Sequence, residues 1–410
     1  MAPIPAMKAF VYALLIPAFA PTLAESRSPV SPLRVSTKLR RSTETAGYVV
    51  DTLELPEAHP GGPPLDVGGF DFFPDGRLAL GTSEGDVWVA HGIGSDVIQW
   101  RRFATGLRGV AGLTVVSGGV RVASRDGIVR LRDPDMSGGA DLQEVGENLL
   151  EHAKAPGATP EGQGKMPFFW IPPQWGDSAG GWARVPSEGW GPWKDQLLLF
   201  RDGNTALLGV LREEVRGSAQ GGILAFPLTF PSGILRGRFN PADGQLYVSG
   251  RRVSSSGGVR GSWLQRVRYT GGAVRMPVEF RAERKGVTLR FGCDLDTETA
   301  ADPGHYRLEI LHEAPHGALA AGTGSPRETS PEGAGSGPRK LPSERSPVGV
   351  QSVLRVESVS VGTDDKSVFL EVPDLHPPLR MRLSYRLRTV EGLELRGEFF
   401  PTVHVLGESE

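Results

Sequence analysis

The chain of 410 residues contains one cysteine, Cys293, no charge excess of either sign, and no long apolar run after its first two dozen residues. A single cysteine excludes an internal disulfide and any C-x-x-C-H haem attachment site. Within "VTLRFGCDLD" it reads as a small buried residue at a strand, because no basic neighbour is in view to activate the thiol. Lysine and arginine total 45 against 47 acids, a formal charge of -2, which gives no electrostatic ground for a nucleic-acid partner. The lack of a later apolar stretch long enough for a bilayer excludes a membrane-spanning helix beyond the N-terminus.

What the chain has instead is glycine and proline, 55 and 34 residues, spread along its length. Such spacing predicts many turns and hence many short strands. The N-terminus, "MAPIPAMKAFVYALLIPAFAPTLAES", carries Lys8, an apolar run from Ala9 to Ala20, and small residues at Thr22 and Ala24. This predicts a secretory signal over 1–24, with an uncleaved anchor as the other reading of the same run. Cleavage removes one lysine and no acid, so the mature charge becomes -3. The expected location is secreted or periplasmic. Residues 25–46 are polar, basic and Pro/Ser-containing, and are expected to be a mobile leader.

From Tyr48 the texture changes. "FDFFPDGRLALGTSEGDVWVA", "GVRVASRDGIVRLRD" and "GILRGRFNPADGQLYVSGRR" each read strand, Asp-Gly turn, strand. Repetition at this spacing predicts propeller blades of about 40–45 residues, so 47–276 would hold about five. A sandwich with long loops is the competing reading. Between Gly162 and Trp193 lie five of the eight tryptophans, Trp170, Trp175, Trp182, Trp190 and Trp193, among prolines that exclude a long helix. Aromatics on such loops either line a binding face or plug the blades. From 277 to 410 long apolar–polar alternation predicts an Ig-like antiparallel β-sandwich. Ala314–Pro347 breaks it with Gly, Ser, Pro and charge, an insertion expected to be disordered. The fold class expected is therefore all-β: a contracted β-propeller followed by a sandwich.

Two catalytic motif matches fail on context. "GDSAG" fits G-x-S-x-G, yet Pro172-Pro173 before it and "GWARVP" after it supply neither the strand nor the helix that would raise Ser178 on an elbow. "HEAPH", His312–His316, fits H-E-x-x-H, but Pro315 prevents the helix that would align both imidazoles. A third pattern fares better. "DPDMSGGADLQE" offers Asp133, Asp135, Ser137, the Gly139 carbonyl, Asp141 and Glu144 at positions 1, 3, 5, 7, 9 and 12, around Gly138 at position 6. That is the ligand rhythm of a calcium loop, here between strands rather than helices. A solvated acidic turn is the alternative.

Several segments together, "GLRGVAGLTVVSGGVRVASRDGIVRLRDPDMSGGADLQE", "QGGILAFPLTFPSGILRGRFNPADGQLYVSGRR" and "LQRVRYTGG", resemble the secreted bacterial glucose/sorbosone dehydrogenase-like propellers, a group often fused to a c-type cytochrome. The resemblance spans roughly 48–400 and includes the sandwich segments. It implies a metal-loop ancestry for Asp133–Asp141 and, in quinone-dependent members, pyrroloquinoline quinone and calcium at the central face. It also implies a histidine base in an H-x-G-G-R-L-like segment. Here Glu144 leads through "NLLEHAKAPGATPEGQGK" straight to "FFWIPP", so that segment and about two blades are missing, and His152 lacks the expected context. Two functions follow. One is a non-catalytic propeller binding a carbohydrate or an envelope protein through its aromatic loops. The other is a quinone-dependent sugar or polyol dehydrogenase passing electrons to a separate cytochrome, with Arg236 and Arg238 holding the anionic cofactor. No catalytic residue is assigned.

Overall fold

A computed structural model describes residues 33–408 apart from 118, 126, 135–137, 141, 146–166, 173–174, 176–178, 204–205, 254–258 and 312–349. The signal sequence, Ser178, the H-E-x-x-H match, His152 and the insertion at 314–347 lie outside the described residues.

The chain is all-β. β1 (Arg34–Arg40) and β2 (Tyr48–Leu53) precede a meander of β3 (Val67–Phe72), β4 (Leu78–Thr82), β5 (Val87–His91) and β6 (Val97–Ala104). A second meander holds β7 (Val110–Val116), β8 (Gly119–Ser124), β9 (Gly127–Arg132) and β10 (Leu142–Val145). A third holds β11 (Ala179–Arg184), β12 (Leu197–Arg201), β13 (Leu207–Val215) and β14 (Ser218–Ala225). The fourth has only three consecutive strands, β15 (Arg236–Phe239), β16 (Leu246–Val253) and β17 (Val259–Tyr269), and β2 supplies its outer strand. The first strand of each unit is an edge strand, and these edges converge: β3 packs on β7, β15 on β3, and β11 on β15. Four-stranded antiparallel units with converging inner edges, the last completed from the N-terminus, make a β-propeller. Among the described residues there are four such units, where about five are expected over 47–276, and residues 146–166 between β10 and β11 lie outside the described ones.

The turns form where Asp-Gly pairs predict them. At Pro74-Asp75-Gly76 the Gly76 amide donates to the Phe73 carbonyl at 2.9 Å, and Asp75 Oδ1 accepts the Arg77 amide at 3.1 Å. Gly76 sits at φ 85°, where a side chain is strained. The leader expectation needs correcting. Arg34–Arg40 is a strand paired with β6 and, at its end, with β2. Leu39 is buried, and Trp100 Nε1 donates to Thr37 Oγ1 at 2.8 Å. The basic residues of "RVSTKLR" lie on the exposed face and mask a period-2 strand.

The seam between β2 and the last unit carries a buried ion cluster. β2 pairs with β17 so that Asp51 lies opposite Arg266. Asp51 is fully buried and accepts from Arg266 at 2.7 and 3.0 Å and from Arg268 at 2.8 and 3.2 Å. The Ser42 amide adds a bond of 2.9 Å. Burial alone would push this carboxyl up, but the bonds from Arg268, Ser42 and Arg266 outweigh it and hold it below the ordinary aspartate value.

Beyond the propeller come β18 (Val274–Glu283), β19 (Gly286–Gly292), the short α1 (Thr297–Ala301), β20 (Tyr306–Leu311), β21 (Val350–Leu354), β22 (Ser358–Val361), β23 (Ser367–Glu371), β24 (Leu379–Arg388) and β25 (Glu394–Val403). They form two facing antiparallel layers, β18-β19-β23-β22 and β25-β24-β20-β21. Phe280 meets Phe399 at 4.9 Å and Phe291 meets Tyr385 at 5.3 Å between them. The second layer is continuous with the third propeller unit because β25 also pairs with β14. One apolar core therefore runs from Trp190, Trp193 and Phe200 into the sandwich. Cys293 is buried just past β19, and burial first, then Glu391 and Asp294, pushes its thiol up to about 11.

Candidate functional site

β11 and β15 are neighbouring inner strands, and their alternation decides what faces the space beside them. In β15, Gly237 packs over the Phe200 ring so closely that a Cβ there would lie 2.3 Å from its Cζ. Arg236 and Arg238 therefore project to the other face. In β11, Ala183 packs against the core while Trp182 turns outward, 66% exposed. Gly180 allows the two strands to approach, since a Cβ there would lie 2.1 Å from the Ile234 carbonyl oxygen. The result is an open cavity of about 630 Å³ lined by Trp182, Arg184, Arg236, Arg238 and the intervening small residues.

The charges around this cavity do not cancel. Arg184 has Asp195 at 3.5 Å, and Arg251 has Asp66 at 3.0 Å. Arg238 has Asp71 at 4.0 Å, and the Asp71 carboxylate also accepts from Thr114 Oγ1 and the Val115 amide, each at 2.9 Å. Among the described residues Arg236 donates only to backbone carbonyls, to Leu235 at 2.8 Å and across to Ala111 of β7 at 3.1 Å. Burial, then the charges of Arg238 and Arg251, hold Arg236 below the usual arginine value. Arg251 lies beyond the lining; among the described residues the lining itself holds three guanidinium groups, with Asp195 beside Arg184 and Asp71 beside Arg238. Among the described residues no histidine lines this cavity.

The tryptophans expected to share one binding face do not. Trp190 and Trp193 are buried in the core, where Tyr48 Oη donates to the Trp190 carbonyl at 2.8 Å and Trp193 meets Phe226 at 4.9 Å. They plug the third and fourth units, because a large apolar ring gains more from packing than from water. Trp170 and Trp175 lean on a smaller cluster, Trp175 against Phe400 at 4.9 Å and Trp170 beneath the Arg380 guanidinium at 5.7 Å. Only Trp182 of the five reaches the cavity.

At the acidic hairpin, Asp135, Ser137 and Asp141 lie outside the described residues. Asp133 Oδ2 accepts the Gly138 amide at 2.9 Å. The Arg101 guanidinium lies against Gly138, so near that a Cβ there would overlap it, and Asp133 acts on its charge. A fixed cation therefore already faces Asp133. Glu144 sits inside β10, in register with Arg130 of β9, past the Leu142–Arg132 pair that closes the hairpin.

A larger cavity, about 770 Å³, opens where β1 and β2 meet the loop after β2. Of its ionic groups Arg40 and Glu54 pair at 2.8 Å, Glu57, His59 and Arg252 also line it, and Trp263 beneath it is buried.

No protein-family model matches the chain, and no curated protein matches it. Two solved structures are similar at low identity. One, from Thermus thermophilus, is an oxidoreductase assigned provisionally as a glucose dehydrogenase, with 16% identity and a TM-score of 0.32 over 54% of this chain and all of that one. The other is a dihydro-heme d1 dehydrogenase, with 15% identity and a TM-score of 0.16 over 65% of this chain and half of that one.

Proposed function

We propose that this is a secreted, dehydrogenase-like β-propeller protein that binds a carbohydrate without turning it over, in the cavity between β11 and β15. The observation that carries the reading is Trp182. An indole left largely in water on an inner strand, in a concavity edged by guanidinium groups, suits stacking on the C–H face of a sugar ring. A saccharide is favoured over an envelope protein because the concavity is small and holds one exposed aromatic, not the clustered anchors a protein interface needs. The lining also argues for binding over chemistry. Arginines stay protonated and cannot act as bases, and Asp71 accepts from three donors, the Phe72 and Val115 amides and Thr114 Oγ1. Hydroxyl deprotonation at a sugar carbon needs a base within hydrogen-bond reach.

The second reading, a quinone-dependent sugar or polyol dehydrogenase, draws on Arg236 and Arg238. Their cationic face fits the carboxylates of pyrroloquinoline quinone, which when bound would supply the hydride acceptor. Arg236 and Arg238 would hold that anion in place; the described lining supplies no partner to take the proton. The two readings part in one experiment. Purified protein is supplied with calcium and the quinone, then offered aldoses and polyols in a dye-reduction assay. Dye reduction overturns the binding reading. No reduction, together with saturable quenching of Trp182 fluorescence by oligosaccharide, supports it.

A further inference from the structure

Resting on that reading, we infer that the bound carbohydrate is acidic: a saccharide whose carboxylate is held by Arg236 and Arg238 while its ring lies on Trp182. Three observations converge. The chain as a whole is slightly negative, at -2, so a local surplus of positive charge is not inherited from overall composition. At this cavity the surplus is local: among the described residues two of the three lining guanidinium groups have a carboxylate beside them, and Arg236 donates to carbonyl oxygens. The Arg238 side chain is 44% exposed beside it, at the long distance of 4.0 Å from an aspartate already shared with β7. Two arginines at alternate positions of one strand present their planar donor forks on the same face, a geometry that matches a carboxylate. The stacking surface stands on the adjacent strand, within the same cavity. A neutral sugar would leave Arg236 uncompensated. A bare anion would leave the indole in water. A uronic acid residue answers both.

The test uses the full-length protein and matched pairs of oligosaccharides: galacturonate, glucuronate and mannuronate oligomers, each against its methyl ester. Binding is read by calorimetry and by tryptophan fluorescence at low and at raised salt. The expected result is that at least one acidic oligomer binds roughly 10- to 100-fold tighter than its ester, the range of a charged hydrogen-bonding contact. That advantage should shrink as salt is added. Arg238→Gln should lower the acid's affinity more than the ester's and so shrink the acid's advantage, with Arg236 keeping the remainder. Arg238 is 44% exposed, bonds its neighbour's carbonyl and has Asp71 only at 4.0 Å, so this variant is expected to fold, and an unchanged melting curve checks it. Arg236→Lys, which keeps the charge and loses the fork, serves as the second variant and should cost affinity without abolishing binding. Equal affinity for acid and ester overturns the inference and leaves the carbohydrate reading standing. Failure of every pair to bind overturns both.

Discussion

Replacing Asp51 by alanine would test the clasp that holds β2 on the last propeller unit. The variant leaves Arg266, 4% exposed, and the half-buried Arg268 without their shared carboxylate. Removing one partner from a buried ion cluster costs about 3–5 kcal/mol, because the remaining charge stays desolvated. At about 2–4 °C per kcal/mol for a unit of this size, the melting midpoint should fall by roughly 10 °C. The assay is thermal and urea denaturation followed by circular dichroism. Asp51→Leu combined with Arg266→Met should recover much of the loss, since apolar pairs of similar volume often replace buried ions at little cost. The pH limb gives a second readout. A carboxyl whose folded pKa is depressed stabilises above its unfolded value, near 4, and loses that contribution as pH falls through the folded pKa. Wild type should therefore lose stability below about pH 4 more steeply than Asp51→Ala. A midpoint shift equivalent to under about 1 kcal/mol, the worth of an exposed pair, would refute the argument that β2 is locked by this cluster.

Other expectations follow from burial and charge. Trp193→Ala should cost about 3–5 kcal/mol, while Trp182→Ala should change stability by no more than about 0.5 kcal/mol, measured by urea titration. Comparable losses would mean that Trp182 is a packing residue. Cys293 should resist a disulfide reagent at pH 8 in the native protein and react fully in denaturant, since burial keeps it a thiol; fast native reaction would contradict its placement. Calcium titration should give no saturable heat below millimolar concentration, because Arg101 already faces Asp133. Tight binding abolished in Asp133→Ala would show that Arg101 yields to the ion.

What sequence could reveal divides along the range of the interactions involved. Pro74-Asp75-Gly76 and Pro241-Ala242-Asp243-Gly244 dictate local backbone, so the hairpins around them were legible, and with them the strand that carries Arg236 and Arg238. The fate of the tryptophans was not. Trp182 and Trp193 stand eleven positions apart in the same Gly/Pro-rich texture, and only the tertiary packing of Phe226 and Tyr48 assigns one to water and the others to the core. β1 was hidden because four of its seven residues carry charge or hydroxyl on the exposed side. The β2–β17 seam joins residues more than 200 positions apart. Its one local signal is Asp51, a lone acid inside "YVVDTL", complementary to the arginines of "QRVRY". The ligand spacing at 133–144 falls largely on residues outside the described ones; of its ends, Asp133 meets the Gly138 amide and Glu144 stands in β10 opposite Arg130.

The central claim is that the cavity between β11 and β15 binds carbohydrate and does no chemistry on it. Tryptophan fluorescence titration of wild type and Trp182→Ala, with dye reduction recorded on the same samples after addition of calcium and the quinone, tests it most directly. The account predicts saturable quenching by an oligosaccharide, lost in Trp182→Ala, with no dye reduced by either protein. Turnover by wild type, or quenching that survives in Trp182→Ala, would contradict it.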